Sequence, residues 1–559
     1  MLETKNIERT RAQESTNAIE KLYISMRHLF SRGFYKPMGV SGETLRKSLL
    51  LLRPEIYGSI AEDRAELNGL VYVIERLPEG IEECQFINLT ADEGYKKSHF
   101  TAIIPEKRRR NCYRIDKDQM NIEITRGRSE IYDILTHLTF LFIESHKIQA
   151  RVSLNEGEDF IREWKYLEDI VLNNKPISEK DKEVLIVHLG NILGRTYREV
   201  SKIYKVFSTE KNPHRFFNLI YWLGKLAIKE VFEDKKRTVT FSTILIEEIG
   251  HHIYGEIWAN EIKSTLKKHD LITRPIHIIS ANMHSVLNSI YAKGALPEEA
   301  EGLKGFELFQ LLSNADSKPL QQKVKNFASE NGLIYIQDTS GTNINVQIID
   351  TDKINFDTSS FKKEHSIKEN AVIIVMDYAF GEQAFETMDE LLKPYKADDE
   401  KIFLDVKSVS IMGKAGILEG GKGDIMIPDA HIFEGTADNY PFKNELSKQD
   451  LEGFGVKAFD GSMVSVLGTS LQNKDLLKFF HDSTWNVIGL EMEGAHYQKA
   501  IQSASRIRGN ISENVKVRYA YYASDNPLET GATLASGGLG MTGVTPTYAI
   551  TQRILEQIF

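Results

Sequence analysis

The sequence is poor in cysteine and has no long hydrophobic run. Only Cys84 and Cys112 occur in 559 residues, and they form neither a CxxC pair nor a zinc-ligand spacing. This excludes a disulfide framework and a cysteine-based metal site. No stretch of about 18 apolar residues occurs, and the N-terminal residues lack an apolar signal-peptide core, so we expect neither a secretory signal nor a transmembrane helix. A reducing, cytoplasmic setting is the expected localisation.

The chain also lacks an excess of positive charge. Its formal net charge is -9 and its pI is about 6.0, which gives no general electrostatic attraction to nucleic acid or to an anionic membrane. The basic run at residues 107–110 is interpreted as a solvated loop. We therefore expect neither nucleic acid nor a membrane among the partners.

A chain of 559 residues is too long for one hydrophobic core, and its patterns change near residue 272. Residues 1–271 are dominated by amphipathic segments of helical period, such as residues 213–232, and predict a mainly α-helical domain. Strand-like runs at residues 69–77 and 85–91 predict a small sheet or hairpin within it. From residue 272 to 559, short apolar strands alternate with helical segments, which predicts an α/β domain with a mixed, partly parallel sheet.

Two apolar strands in the second half end in acidic residues. In residues 489–495 (GLEMEGA), Glu491 and Glu493 project in similar directions if the segment stays extended. The alternative is one carboxylate at a helix N-terminus and one in solvent. In residues 518–527 the strand ends in Ser524 and Asp525, at the strand end where ligands collect in open α/β sheets. An ordinary turn is the alternative there.

A third segment, residues 409–418 (VSIMGKAGIL), is a strand that opens into small residues. Gly413 allows the backbone to approach an anion or a sugar hydroxyl closely, and Lys414 adds positive charge. A plain turn with an exposed lysine is the alternative. Gly423 and Asp424 follow after a short glycine-rich turn.

Together and in this order, these segments resemble the nucleoside phosphorylase and nucleosidase family, which includes purine nucleoside phosphorylases, methylthioadenosine/adenosylhomocysteine nucleosidases and AMP nucleosidase. The strand and turn at residues 278–283 resemble the family's first phosphate or water loop, and residues 378–384 resemble its glycine turn before a helix. The resemblance covers residues 272–559. It implies a three-layer α/β/α domain with a mixed sheet.

The resemblance also implies an activity, which is cleavage of the N-glycosidic bond of a purine nucleoside or nucleotide through an oxocarbenium-like transition state. Asp525 and Glu493 would be the catalytic residues. Glu493, Met492 and Glu491 would bind the ribose, while Ser524 and Asp525 would bind the base, with Asp525 hydrogen-bonding or protonating its N7 and Ser524 orienting Asp525. The phosphate or nucleophile loop would comprise Ser280, Asn282, His284, Gly381, Gly413 and Lys414.

The first loop departs from the family pattern. Family phosphorylases commonly hold phosphate there with an arginine, and many hydrolases activate water with a glutamate, whereas residues 282–285 (NMHS) supply neither. Hydrolysis and phosphorolysis both stay open, with inorganic phosphate as a candidate co-substrate and no cofactor or metal expected. Lys414 and the glycine-rich residues 530–540 point to a phosphate ligand, although a flexible loop is the alternative for the latter.

Family members often complete the pocket with a loop of a neighbouring subunit, which implies a homo-oligomer with the aromatic residues 431–442 as the contributed segment. The helical half would regulate the enzyme, mediate its oligomerisation or cover its site. Two other functions stay open. One is a non-catalytic nucleotide sensor that retains the fold. The other is a helical metal protein, since Glu248, His251 and His252 are spaced as on a metal-binding helix, although only one Glu-x-x-His copy is convincing.

Overall fold

The computed structural model describes residues 10–154, 159–173, 176–356, 359, 361, 370–397, 400–530 and 539–559. The chain divides into two compact units. The first comprises residues 1–124, 130–251 and 470–476, and the second comprises residues 125–129, 252–469 and 477–559. Two short segments thus belong to a different unit from their neighbours in sequence.

The first unit combines helices with a sheet. Its helices are α1 (Arg11–Arg32), α2 (Glu43–Leu52), α3 (Leu67–Ile74), α4 (Gly127–Val152, in this unit from Glu130), α5 (Arg162–Leu172), α6 (Glu179–Leu193), α7 (Tyr197–Phe207), α8 (Arg215–Phe232) and α9 (Thr243–Gly250). Its strands are β1 (Phe34–Tyr35), β2 (Phe86–Thr90), β3 (Ala102–Ile103), β4 (Cys112–Asp116), β5 (Gln119–Glu123) and β6 (Thr238–Phe241). Among the described residues they form a six-stranded sheet in the order β1-β6-β2-β5-β4-β3.

One of the two predicted strand runs is a helix. Residues 85–91 contain β2 as expected, but residues 69–77 begin inside α3. The buried side chains of Leu67, Leu70 and Ile74 recur three and four residues apart, the spacing of one helical face. Glu66 caps the helix by accepting a hydrogen bond from the Asn68 N–H. The β-branched residues of this run favour a strand, whereas the spacing of these three buried residues is that of a helix.

The second unit is built on strands with helices between them. Its helices are α10 (Ile253–Lys268), α11 (Met283–Ala295), α12 (Pro297–Ala300), α13 (Glu307–Leu312), α14 (Lys318–Glu330), α15 (Gln383–Leu391), α16 (Lys474–Asp482, in this unit from Leu477), α17 (Gly494–Gln502), α18 (Pro527–Thr530) and α19 (Val544–Glu556). Its strands are β7 (Ile276–Ser280), β8 (Leu333–Ile336), β9 (Val346–Asp350), β10 (Val372–Met376), β11 (Tyr395–Ala397), β12 (Glu400–Ile402), β13 (Val406–Ile417), β14 (Ile425–Phe433), β15 (Asp438–Pro441), β16 (Ala458–Ser465), β17 (Val487–Glu491) and β18 (Lys516–Asp525).

The main sheet of this unit, ten-stranded over the described part of the chain, closes partly on itself. β13 pairs with β17 on one side and β18 on the other, and β18 continues through β14 and β16 back to β17. β7, β10, β9 and β8 extend the sheet from β13 as an open arm. β7 is parallel to β10 and β13, whereas β9 and β10 are antiparallel. The predicted mixed, partly parallel sheet is therefore confirmed.

Successive residues of the strands in the open arm belong to two different apolar cores. Ile278 and Ile374 belong to one core, which includes buried residues of α10, α15 and α17. Ile279 and Val375 belong to the other, which includes buried residues of α11, α14 and α19. Since neighbouring strand residues point to opposite faces, helices cover both faces of this part of the sheet.

The segment from residue 247 to 256 is not one helix. α9 ends at Gly250 and α10 begins at Ile253, because His252 has a left-handed backbone with φ 57°. Glu248, His251 and His252 therefore do not share a helical face, and the spacing argument for a metal site is wrong. Among the described residues, no group of three or more His, Cys, Asp or Glu side chains is placed to hold a metal ion.

The sequence-based division at residue 271 also differs from the compact units. His252 to Leu271 belong to the second unit, because Trp258, Ile262 and Leu266 of α10 are part of its core. Within the described residues, no helix is both long and apolar enough to cross a bilayer.

Candidate active site

Glu491 lies at the junction where β17 leads into α17. Its Oε2 accepts hydrogen bonds from the backbone N–H groups of the following residues Glu493 and Gly494, each at 2.5 Å. The Ser465 hydroxyl also contacts this carboxyl group. Burial, and then repulsion by Glu493, raises the pKa of Glu491 to about 8. The carboxyl group therefore caps the N-terminus of α17. This orientation corresponds to the helix-terminus alternative rather than to the ribose-facing orientation expected for Glu491.

Glu493 has a different environment from Glu491. Its Oε1 accepts a hydrogen bond from the Gly381 N–H at 2.8 Å. Burial raises the pKa of Glu493 to about 7, while the Gly381 N–H and the nearby Arg126 charge act in the opposite direction. Met492 lies beside the same turn, since its Cε would be 3.9 Å from a Cβ added to Gly381. The structure thus brings Gly381 next to Met492 and Glu493, which follow it in the sequence by more than a hundred residues.

The Gly381 turn is crowded by Ser129. Gly381 has φ +54°, and a Cβ added there would lie 2.6 Å from the Ser129 Cβ. The Ser129 hydroxyl accepts a hydrogen bond from the Glu382 N–H at 2.8 Å, at the start of α15. The turn is therefore fixed between Glu493 on one side and Ser129 on the other.

Replacing Gly381 by alanine is expected to lower the free energy of unfolding by about 2–5 kcal/mol. A left-handed backbone costs a residue with a side chain about 1–2 kcal/mol, and overpacking against Ser129 adds about 1–3 kcal/mol. Gly305→Ala is the matched control, because Gly305 has the same φ of +54° and no described atom lies within 4 Å of an added Cβ. Urea unfolding of both variants measures the difference, and equal losses would show that Ser129 does not constrain the turn.

Asp525 ends β18 and is 9% exposed. The Ser524 Oγ lies 2.5 Å from the Asp525 Oδ1 and 3.1 Å from the Ala415 carbonyl oxygen of β13. The next residue, Asn526, donates a hydrogen bond to the Gly420 carbonyl oxygen at 3.0 Å. These contacts fix the strand end, so that the Asp525 carboxyl group is held by its neighbours rather than by solvent.

The two acidic strand ends flank the same strand. Gly416 of β13 pairs with Leu490 of β17 on one side and with Asp525 of β18 on the other. Since neighbouring strands lie about 4.8 Å apart, the main chains at Leu490 and Asp525 are roughly 10 Å apart. β17, which leads into Glu493, and β18, which ends at Asp525, are therefore next-nearest neighbours in the closed part of the sheet.

Three residues of the predicted phosphate or nucleophile loop line one cavity. Asn282, His284 and Lys414 are among the residues that surround a space of about 390 Å³. The Asn282 Oδ1 caps α11 by accepting a hydrogen bond from the His284 N–H at 3.0 Å. Lys414 is adjacent to Tyr522 of β18, which also lines the cavity. The cavity thus offers one cation and several polar groups to a ligand.

Ser280 and Gly413 do not line this cavity. Ser280 is 1% exposed, and its Oγ lies 3.2 Å from the hydroxyl oxygen of Tyr497. A Cβ on Gly413 would meet the rings of Tyr378 and Tyr521 at 3.8 Å, an ordinary contact distance, so no described protein atom requires a glycine there. Most of the glycine-rich segment, residues 531–538, lies outside the described residues.

The aromatic residues 431–442 pack within their own chain. His431 is fully buried, stacks on Phe442 and contacts the Tyr519 ring at a tilt, and its Nε2 lies 3.1 Å from the Tyr521 hydroxyl oxygen. Burial lowers the pKa of His431 to about 3. The segment is the β14–β15 hairpin, in which the His431 and Phe433 rings are buried and residues 436–439 are exposed. Self-association itself stays a prediction.

The sequence reasoning missed residues 125–129, which belong to the second unit. The Arg126 guanidinium carbon lies 4.8 Å from the Phe380 ring centre, and the Arg128 Nη1 lies 3.6 Å from the Glu382 Oε1. With Ser129, they surround the turn that holds Glu493. A glycine flanked by two arginines at residues 126–128 was the only local signal, and nothing in it indicates a partner some 250 residues away.

The fold and the site together define an α/β unit with two acidic positions, Glu493 after β17 and Asp525 at the end of β18, and with a polar cavity lined by Asn282, His284 and Lys414. The chain matches a family of unknown function (DUF6909) over residues 43–308 and 308–559, and it belongs to that family. No curated protein matches it.

Solved structures of nucleoside-cleaving enzymes are similar to about half of the chain. The 5′-methylthioadenosine/S-adenosyl homocysteine nucleosidase of Campylobacter jejuni has 11% identity and a TM-score of 0.31, over 51% of this chain and 98% of that one. The futalosine hydrolase of Helicobacter pylori has 12% identity and a TM-score of 0.29, over 51% and 98%. A uridine phosphorylase of Schistosoma mansoni has 11% identity and a TM-score of 0.31, over 52% and 90%.

Proposed function

We propose that the second unit cleaves the N-glycosidic bond of a purine nucleoside or nucleotide through an oxocarbenium-like transition state. The observation that carries this is the pair of acidic strand ends, in which Glu493 is held by the Gly381 turn beside Met492 and Asp525 is held by Ser524 across β13. We include in the proposal a three-layer α/β/α arrangement, supported by the apolar cores on both sheet faces. A cytoplasmic homo-oligomer is part of it as well.

In this proposal Glu493 binds the ribose. As the C–N bond lengthens, positive charge develops on the sugar, and a fixed carboxylate that accepts hydrogen bonds from the ribose hydroxyls stabilises that charge. The Gly381 N–H fixes one carboxylate oxygen, which limits the side chain to one orientation. Met492, next to this turn, would pack against the apolar face of the sugar.

Asp525 acts on the leaving base. A purine leaves more readily when N7 is protonated or hydrogen-bonded as electrons move into the ring, so an acid at the strand end serves as the proton donor. The Ser524 Oγ, 2.5 Å from the Asp525 Oδ1, would orient the carboxyl group toward the base. The other carboxyl oxygen would then make the contact with N7.

The cavity of Asn282, His284 and Lys414 is the proposed phosphate subsite. It would hold either inorganic phosphate, for phosphorolysis, or the 5′-phosphate of a nucleotide, for hydrolysis. Lys414 supplies the positive charge, and the side chains of Asn282 and His284 supply polar contacts. No cofactor or metal takes part in this reaction.

Lys414→Met is expected to raise the KM for the phosphate-bearing reactant by about 10–100-fold, the equivalent of one lost charge-assisted hydrogen bond. The KM for a reactant without phosphate should change little. Lys407→Met is the control, because Lys407 is exposed on the same strand, outside the cavity, and paired with Asp405. Steady-state kinetics with each reactant varied in turn measures both constants, and an unchanged KM for phosphate in Lys414→Met would remove the subsite from the proposal.

A panel of purine and pyrimidine nucleosides and nucleotides tests the function itself. Each compound is incubated with the full chain, with and without inorganic phosphate, and the free base and the sugar product are separated by chromatography. Free sugar indicates hydrolysis, and sugar 1-phosphate indicates phosphorolysis. Release of no base from any compound contradicts the proposal.

A non-catalytic nucleotide sensor is the second candidate. It is favoured by the first loop, where residues 282–285 supply neither an arginine for phosphate nor a glutamate to activate water. Calorimetric titration with the same panel separates the two functions. Tight binding of one compound without release of its base would establish the sensor.

A further inference from the structure

Residues 125–129 are fixed against the turn that holds Glu493. The Ser129 hydroxyl accepts the Glu382 N–H hydrogen bond, and a Cβ on Gly127, which has φ +74°, would lie 3.0 Å from the Glu386 Oε2. At the other end of the segment, the Asn343 side chain donates a hydrogen bond to the Thr125 hydroxyl at 3.3 Å. The position of the intervening Arg126 is therefore set by contacts on both sides.

Arg126 is held directly beside the same turn. Its guanidinium carbon lies 4.8 Å from the centre of the Phe380 ring, and Phe380 immediately precedes Gly381, whose N–H binds the Glu493 carboxylate. A guanidinium over an aromatic face is attracted by the ring and is oriented by it. Arg126 is only partly buried, so its charge lies at the edge of the turn that holds Glu493.

We infer that Arg126 is a positioning residue that holds the Phe380–Gly381 turn against Glu493 and favours its carboxylate form, ready to bind the ribose hydroxyls. The inference rests on the function proposed above for Glu493. The inference means that residues 125–129, which precede the α/β half in the sequence, help to position Glu493 in the site. Arg126 itself touches neither the sugar nor the base in this role.

The other titratable groups that face Glu493 do not supply this charge. Glu491, from the end of β17, is itself acidic and interacts unfavourably with Glu493. Tyr497 of α17 and Tyr521 of β18 also face it, and burial keeps both hydroxyls neutral by raising the pKa of each. Burial raises the pKa of Glu493 to about 7, and the backbone hydrogen bonds from Gly381 and Met492, followed by the Arg126 charge, act in the opposite direction. Without Arg126 this pKa should rise further, and the fraction of carboxylate at neutral pH should fall.

The first test is the pH dependence of kcat/KM for the best substrate. Since the ribose contact needs the carboxylate, kcat/KM should increase as the pH rises through about 7. In Arg126→Gln this increase should move upward by about one pH unit or more, and Arg126→Lys should restore most of the shift. Arg128→Gln is the matched control, because Arg128 lies in the same segment but pairs with Glu382. An unshifted profile in Arg126→Gln overturns the inference while leaving the proposed function intact.

The second test does not depend on activity. A double-mutant cycle of Arg126→Gln and Glu493→Gln is followed by thermal unfolding at about pH 8.5 and about pH 5.5. At the higher pH Glu493 is charged, and the two substitutions should be non-additive by about 2 °C or more in Tm. At the lower pH Glu493 is protonated, and this coupling should disappear.

Absent coupling at the higher pH, or equal coupling at both, overturns the inference whether or not the protein cleaves nucleosides. Coupling that depends on pH, found together with no release of base, would retain the Arg126–Glu493 interaction and reject the cleavage function. Arg126→Met, which keeps an apolar stem over Phe380, replaces Arg126→Gln in the cycle if the glutamine variant does not fold.

Discussion

Asp525→Asn should lower the rate of base release by about 10²–10⁴-fold, the usual contribution of a general acid. Asparagine has the same shape as aspartic acid, and its side-chain oxygen can still receive the Ser524 hydroxyl that now lies 2.5 Å from Oδ1. What disappears is the proton that the departing purine needs. Ligand affinity should therefore be largely preserved, so that the effect falls on kcat and not on binding.

Single-turnover assays with chromatography of the free base give the rate, and calorimetry gives the affinity for the same ligand. Asp429→Asn serves as the control, since Asp429 is an exposed carboxylate on β14, the strand next to β18. A parental rate in Asp525→Asn would show that the catalytic assignment is wrong. A loss of affinity equal to the loss of rate would assign Asp525 to ligand binding alone.

Glu493→Ala should impair binding and rate together, which makes it different in kind from Asp525→Asn. It removes the charged partner of two ribose hydroxyls, each contact being equivalent to about 1.5–3 kcal/mol, so kcat/KM should fall by about 10²–10⁴-fold. It also leaves the Gly381 N–H without its carboxylate acceptor. A higher KM and a lower kcat are expected from the same variant.

Glu491→Gln distinguishes the two glutamates. Because the Glu491 carboxyl group receives the N–H groups that begin α17, its replacement should lower Tm more than it changes KM. Thermal unfolding and steady-state kinetics on both variants separate these effects. If Glu491→Gln raised KM as strongly as Glu493→Ala, the ribose would be held by both carboxylates, as the sequence alone suggested.

Much of the second unit could be predicted from local patterns. The alternation of strands and helices after residue 272, and the acidic ends of β17 and β18, follow from residues within a few positions of each other. Helix ends depend on neighbouring residues in the same way: Thr10 and Gln13 form a capping box for α1, and Gly33 ends it with φ 77°. Such signals are local because backbone geometry and side-chain caps act within a turn or two.

Local patterns failed where packing or a single backbone angle decided the outcome. α3 contains strand-like residues, but it is a helix in which Leu67, Leu70 and Ile74 are buried at helical spacing. The spacing of Glu248, His251 and His252 suggested a metal-binding helix until the left-handed backbone at His252 divided it. In both segments the composition was compatible with two conformations, and tertiary contacts selected one.

The sequence by itself determined that two acidic strand ends follow one another in an α/β unit, because strand periodicity and strand ends are written in neighbouring residues. Only the tertiary structure decided what each acid does locally: Glu491 caps α17, whereas Glu493 is held by Gly381. It alone brought Arg126 and Ser129 to the same turn. Contacts between residues some 250 positions apart cannot be predicted from sequence periodicity, since they depend on how whole helices and strands pack.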